Sequence, residues 1–192
     1  MAETVWSGSG TPGVAPEREL LLTALRRNGP VSASVVRPLI ECLERVQPAD
    51  LDLQSDQLAG VWELRWSSSS LPYLLAGAAL ENLQVLDPAH GRALNLLRLK
   101  GPLGSFGAVA VRAAIKVVGR QRVEVRFDRG GWIGPRIGGA QLDLLRSVGQ
   151  SFPAWLEITV LDGELRICRG NAGTLFALVR RSEDLSAVPW PA

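Results

Sequence analysis

Two rhythms run along this chain. Between Glu17 and Val46 apolar residues recur every three or four positions, whereas after Leu58 they alternate with polar ones almost to Arg181. The first rhythm is that of helices and the second that of half-buried strands. A first helix is expected from Glu17, with Pro16 before its first turn, Glu17 and Glu19 at the positive end of its dipole, Leu21, Leu22 and Leu25 on one face, and Gly29 to end it. A second is expected over roughly Val36 to Val46, where Leu39, Ile40, Leu43 and Val46 share a side and Gln47-Pro48 stops the turn.

The alternating part predicts about eight strands. They are Val61 to Ser67, Asn82 to Asp87, Ala93 to Lys100, Gly107 to Val118, Val123 to Arg129, Trp155 to Leu161, Leu165 to Arg169 and Thr174 to Arg180. The segments between them, Asp87-Pro88 through Gly91, Gly119-Arg120, Asp162-Gly163 and Asn171 through Gly173, are hairpin formers, so successive strands should be antiparallel neighbours. Such a set can close into an up-and-down barrel that removes its edges and leaves room for one small ligand, or it can flatten into a sandwich. Residues 130–153, with glycines at 130, 131, 134, 138 and 139, read as a long loop over one end with a helical turn around Leu142 to Arg146. The expected organisation is a leader over 1–16, a helical segment over 17–57, the barrel over 58–181 and a tail over 182–192.

Composition narrows the function classes. With 46% hydrophobic and 21% charged residues the chain is ordinary globular material, and a net charge of +2 is too small for a nucleic-acid binder. Two distant cysteines, Cys42 and Cys168, suit a reducing compartment, and a single histidine, His90, leaves no His/Cys zinc site; no cofactor is expected. The start has no secretory signal, and the longest apolar run, Leu71 to Leu80, is too short to span a bilayer, so a cytoplasmic location is expected, with peripheral membrane attachment as an option. No nucleophile beside a base and no pair of carboxylates in apolar settings is visible, and no enzymatic activity is expected.

The candidate ligand-binding residues are Trp62, Leu64, Trp66, Tyr73, Arg166, Arg169 and Phe176. Period two puts Trp62, Leu64 and Trp66 on one face, where the indoles either line a ligand pocket or fill the core. Arg166 and Arg169 fall on opposite faces, so at most one points inward. An inward arginine either anchors a polar ligand head or is satisfied within the protein by Asp162, by Glu164 or by stacking on Trp62. The run Leu71 to Leu80, with Tyr73 as its polar handle, is too apolar for a solvated connection and reads as a lid, a membrane-touching loop or a plug. In the hairpin of Gly107 to Val118 and Val123 to Arg129, Val109, Val111, Ile115, Val117, Val123, Val125 and Phe127 share one parity. Arg112, Lys116, Arg122 and Arg126 take the other, either facing an anionic leaflet or forming a solvated wall relieved by Glu124 and Asp128.

Gly60-x-Trp62 resembles the first-strand motif of lipocalins. The block from Asp162 through Leu165-Arg166-Ile167, Arg169-Gly170-Asn171 and Leu175-Phe176 resembles the C-terminal signature of the plastid lipid-associated protein (PAP)/fibrillin family, and Gly60 to Leu64 after a helical pair matches its other block. The resemblance implies a lipocalin-like barrel that associates with thylakoids or lipid globules and binds a prenylquinone, a carotenoid or a fatty acid without catalysis. Two rival readings remain: a bilin (chromophore) lyase of related fold, and an interaction protein whose barrel is filled by its own side chains.

Overall fold

The computed structural model describes residues 16–70, 79–138, 140–150, 153–185, 188 and 190. Helix α1 (Pro16–Arg26) has Glu17 and Glu19 in its first turn and Arg26 in its last, and buries Leu21, Leu22 and Leu25. Helix α2 (Ala33–Val46) starts at Ser32, whose hydroxyl accepts from the Ser34 N–H, and buries Val36, Ile40 and Leu43. A third helix, α3 (Leu51–Leu58), escaped the periodicity. It has eight residues, capped by Asp50, and only Leu51 and Leu58 turn inward.

Among the described residues nine strands follow: β1 (Gly60–Ser67), β2 (Leu80–Asp87), β3 (Arg92–Leu99), β4 (Ala108–Val118), β5 (Arg122–Ile137), β6 (Ala140–Ser147), β7 (Ala154–Leu161), β8 (Leu165–Gly170) and β9 (Leu175–Arg180). All pairings are antiparallel, in the order β4-β3-β2-β1-β9-β8-β7-β5-β6, and an additional β4–β5 ladder closes the ring. Eight strands thus make a closed barrel, and β6 stands outside the ring, attached to the outer half of β5 from Arg129↔Ser147 onward.

This corrects the expected loop over 130–153. Its glycines break the apolar alternation, yet the backbone stays extended to Ile137 and returns along Ala140–Ser147. At Gly134 a Cβ would strike the Trp132 ring, so a glycine lets the hairpin pack under its own tryptophan. Where β5 parts from β7 beyond Val125↔Ala154, the Gln150 side chain bridges the gap: its Oε1 accepts from the Phe127 N–H at 2.6 Å and its Nε2 donates to the Val125 carbonyl at 3.3 Å.

Three apolar clusters divide the molecule. One fills the barrel's base, where Leu51 and Leu58 of α3 meet Trp62, Leu64, Ile158 and Leu178. A second lies between the outer wall and the helices, where Leu21, Leu25, Ile40 and Leu43 cover Val160, Ile167 and Ala177. A third covers the opposite outer face, with Val85, Leu94 and Ile133 under Leu145, Leu185, Val188 and Trp190. The expected leader over 1–16, except Pro16, the apolar run at 71–78 and parts of the tail lie outside the described residues.

Candidate functional site

The site is built on the base of the barrel. Trp62 is wholly buried, and its indole N–H donates to the Leu58 carbonyl at 3.0 Å, tying β1 to the plugging helix. Opposite it in the ladder stands Arg180, whose guanidinium lies 4.3 Å from the Trp62 ring centroid and donates to the Ala59 carbonyl at 2.6 Å and to that of Gln57. Gly60, at φ +142, is required here because a Cβ would meet the Arg180 guanidinium. This arginine closes the barrel end, and its inward parity with Phe176 and Leu178 was readable along β9.

Above this floor lies Arg166. Its side chain is fully buried, its Cζ is 5.1 Å from the Trp62 centroid, and its Nη2 donates to the Gln84 side-chain oxygen. Nε and Nη1 have no acceptor among the described residues, which leaves three of the five guanidinium N–H groups unsatisfied there. Burial pulls the Arg166 pKa down to about 10, and the neighbouring Arg180 pushes the same way. Beside it Cys168 is buried, and desolvation pushes its thiol up.

Arg166 lines a cavity of about 270 Å³ with Gln84 and Asn95 as the other polar groups at depth. Ala113, Ile115, Val123, Phe127, Ile158 and Phe176 make the apolar walls, and Trp155 and the Gly170–Thr174 turn form the rim. No carboxylate stands among the described residues that line it. A wider hollow of about 770 Å³ lies at the β4–β5 hairpin, edged by Lys116, Arg122, Glu124 and Arg126, and shares Ile115, Val125, Ala154 and Trp155 with the inner cavity.

The expected site residues are thereby sorted. Arg166 and Phe176 line the cavity, and Trp62 and Leu64 lie in the packed base. Trp66 does not share their face. β1 carries a bulge between Leu64 and Trp66, so Leu64 opposes Leu178 while Trp66 opposes Ala177 and turns outward among the helices, near Arg37 at 5.9 Å. The extra residue, Arg65, donates to the carbonyls of Leu25 and Arg27 at 2.7 and 3.0 Å and so caps the end of α1. Arg169 also points out and grips Glu44 of α2 at 2.8 and 2.6 Å. Tyr73 lies outside the described residues. Gln84, Asn95 and Arg180 went unnoticed because isolated polar residues at inward positions look like solvent-facing ones until the strand's facing is known.

Much of the C-terminal signature serves to dock helices. Asp162 accepts from Arg18 of α1 at 2.6 and 2.9 Å and from the Glu164 and Leu165 N–H groups at 2.8 and 2.9 Å. Burial alone would raise its pKa, but Arg18 and these backbone donors hold it below the usual carboxylate range. The basic face of the β4–β5 hairpin is partly neutralised: Arg112 pairs with Asp128 at 3.1 Å, and Arg122 pairs with Glu157 at 2.8 Å while lying 4.4 Å from the Trp155 ring centroid. His90 is exposed and hydrogen-bonded to Asp87.

Residues 25–179 match the PAP_fibrillin family model. Similar proteins include plastoglobulin-1, chloroplastic, of Pisum sativum, 28% identical over 198 residues that cover 78% of this chain and 55% of the relative. The probable plastid-lipid-associated protein 3, chloroplastic, of Oryza sativa subsp. japonica is 28% identical over 199 residues, 78% of this chain and 53% of the relative. The probable plastid-lipid-associated protein 12, chloroplastic, of Arabidopsis thaliana is 25% identical over 173 residues, 80% of this chain and 40% of the relative. The chain therefore spans about half the length, or less, of these curated relatives. No solved structure matches.

Proposed function

The chain belongs to the PAP/fibrillin family, and from that premise we propose that it is a lipocalin-like, non-catalytic carrier that takes a hydrophobic small molecule into its barrel at a lipid surface. The observation that carries this reading is the hollow of about 270 Å³ inside a closed ring, walled by apolar side chains and floored by a buried arginine. Apolar burial at about 25 cal/mol per Å² supplies most of the affinity. The residues in contact with the ligand are Arg166 and Phe176, with Gln84, Asn95 and Trp155 added, while Trp62 and Leu64 hold the floor in place.

A hollow of this size holds about nine water-sized groups at about 30 Å³ each. A whole carotenoid or long prenylquinone exceeds it, so such a ligand would be enclosed only in part. The same hollow weighs against a barrel filled by its own side chains. Peripheral lipid contact is supported at the β5–β6 hairpin, where Trp132, facing Val109 and Leu144 across its two ladders, shares an exposed apolar face with Leu142. No helix among the described residues is long and apolar enough to cross a membrane. The relatives' names favour a plastid lipid environment over the cytoplasmic location expected from the sequence. Solvent extraction of protein purified from its native source, followed by mass spectrometry, should release a lipid, quinone or pigment in near-stoichiometric amount. Recovery of no such molecule, together with no uptake of any added one, would end the carrier reading.

A further inference from the structure

The unsatisfied guanidinium at the bottom of the cavity specifies the ligand's head. Arg166 is fully buried, and among the described residues three of its N–H groups lack acceptors and no Asp or Glu lines the cavity with it. A second cation, Arg180, flanks the same tryptophan, so the floor carries excess positive charge. A neutral carbonyl would accept hydrogen bonds from Arg166 but leave its charge unbalanced, whereas a carboxylate answers both demands. A phosphate bears more oxygens than the uncommitted donors of Arg166 and two amides can serve, since Arg180 is committed to the Ala59 and Gln57 carbonyls. Resting on the carrier reading above, we infer that the cavity selects a single-chain amphiphile with a carboxylate head, seated head-down on Arg166 beside Gln84 and Asn95.

The tail then has a defined course. From Arg166 it passes between Ile115, Val123, Phe127 and Phe176, and what exceeds the enclosed volume leaves along the inner face of β4. Val111 lines the cavity, and the next residue of the same parity, Val109, faces Trp132 across the ladder, which continues the apolar track outside.

The test is a titration of the full chain with dodecanoate, dodecanol and methyl dodecanoate near pH 8, read by tryptophan fluorescence and by calorimetry. Dodecanoate should bind roughly tenfold or more tightly than either neutral analogue, in line with a charge-assisted hydrogen bond. Arg166→Met should abolish the preference for the acid over the alcohol, and Arg166→Lys should keep part of it. Equal binding of acid and alcohol by the wild type, or a preference for the acid untouched in Arg166→Met, overturns the head assignment while the carrier reading stands. Failure of all three probes and of a prenylquinone control overturns both.

Discussion

Replacing Arg166 by methionine should make the ligand-free protein more stable. A buried charge without a partner costs about 3–5 kcal/mol. The fall of the Arg166 pKa to about 10 through burial corresponds to a similar figure, about 3 kcal/mol at 1.36 kcal/mol per pH unit. Against this gain stand the bond to Gln84, worth about 1 kcal/mol, and the stacking on Trp62 at 5.1 Å, worth about 1 kcal/mol. Methionine fills a similar volume, so little cavity term is added. The net is about 1–3 kcal/mol in favour of the variant. For a chain of 192 residues, at about 2–4 °C per kcal/mol, the midpoint should rise by roughly 2–12 °C. Thermal unfolding followed by circular dichroism, and urea unfolding with an unchanged m-value, measure this directly. The penalty exists only while the guanidinium is charged in the folded state, so the gap between variant and wild type should hold below pH 10 and narrow as the pH rises through about 10. A fall in the midpoint would mean that the charge is already compensated in the ligand-free fold, and the reasoning about the floor would be wrong.

Asp162→Asn should cost about 1–2 kcal/mol by loosening Arg18 from the β7–β8 turn. Because the folded-state pKa of Asp162 is depressed, its contribution is present above the unfolded carboxylate value and lost as the pH falls through the folded one, so the variant and wild-type urea midpoints should converge below about pH 4. Gly60→Ala should destabilise by about 2 kcal/mol or more, from the positive φ and the collision with Arg180, measurable as a lowered thermal midpoint; an unchanged midpoint would refute the closure at the barrel base. Leu142→Ser combined with Leu144→Ser should weaken co-sedimentation with lipid vesicles while leaving the thermal midpoint within about 4 °C, since both side chains are exposed; undiminished sedimentation would place lipid contact elsewhere.

The ring strands, the sequential hairpins and the first two helices were legible because each rests on a period and a turn that local chemistry enforces. All eight strands expected from alternation take part in the barrel. The failures have physical causes. One extra residue at Arg65 inverts every later position of β1, and alternation assumes that no such insertion occurs, which is why Trp66 was placed inside. β6 was hidden because the glycines that let Trp132 pack also erase the apolar rhythm of the hairpin. α3 has too few turns to show a period. The opposite facing of Arg166 and Arg169 followed from parity, but which of them enters the barrel goes with the helices that cover Leu165 and Ile167 on the outer face, where Arg169 meets Glu44, partners that no local pattern reveals.

A closed ring has no exposed backbone margin, yet β6, which among the described strands pairs only with β5, gives this one back. Its outer N–H and C=O groups need water, while Leu142, Leu144 and the adjoining Trp132 shun it. Both demands are met at a single depth, the headgroup zone between bulk solvent and hydrocarbon, where an indole is also at ease. The hairpin is therefore suited to float at that boundary and to sink no further, because each unpaired peptide group carried into the acyl region would cost several kcal/mol.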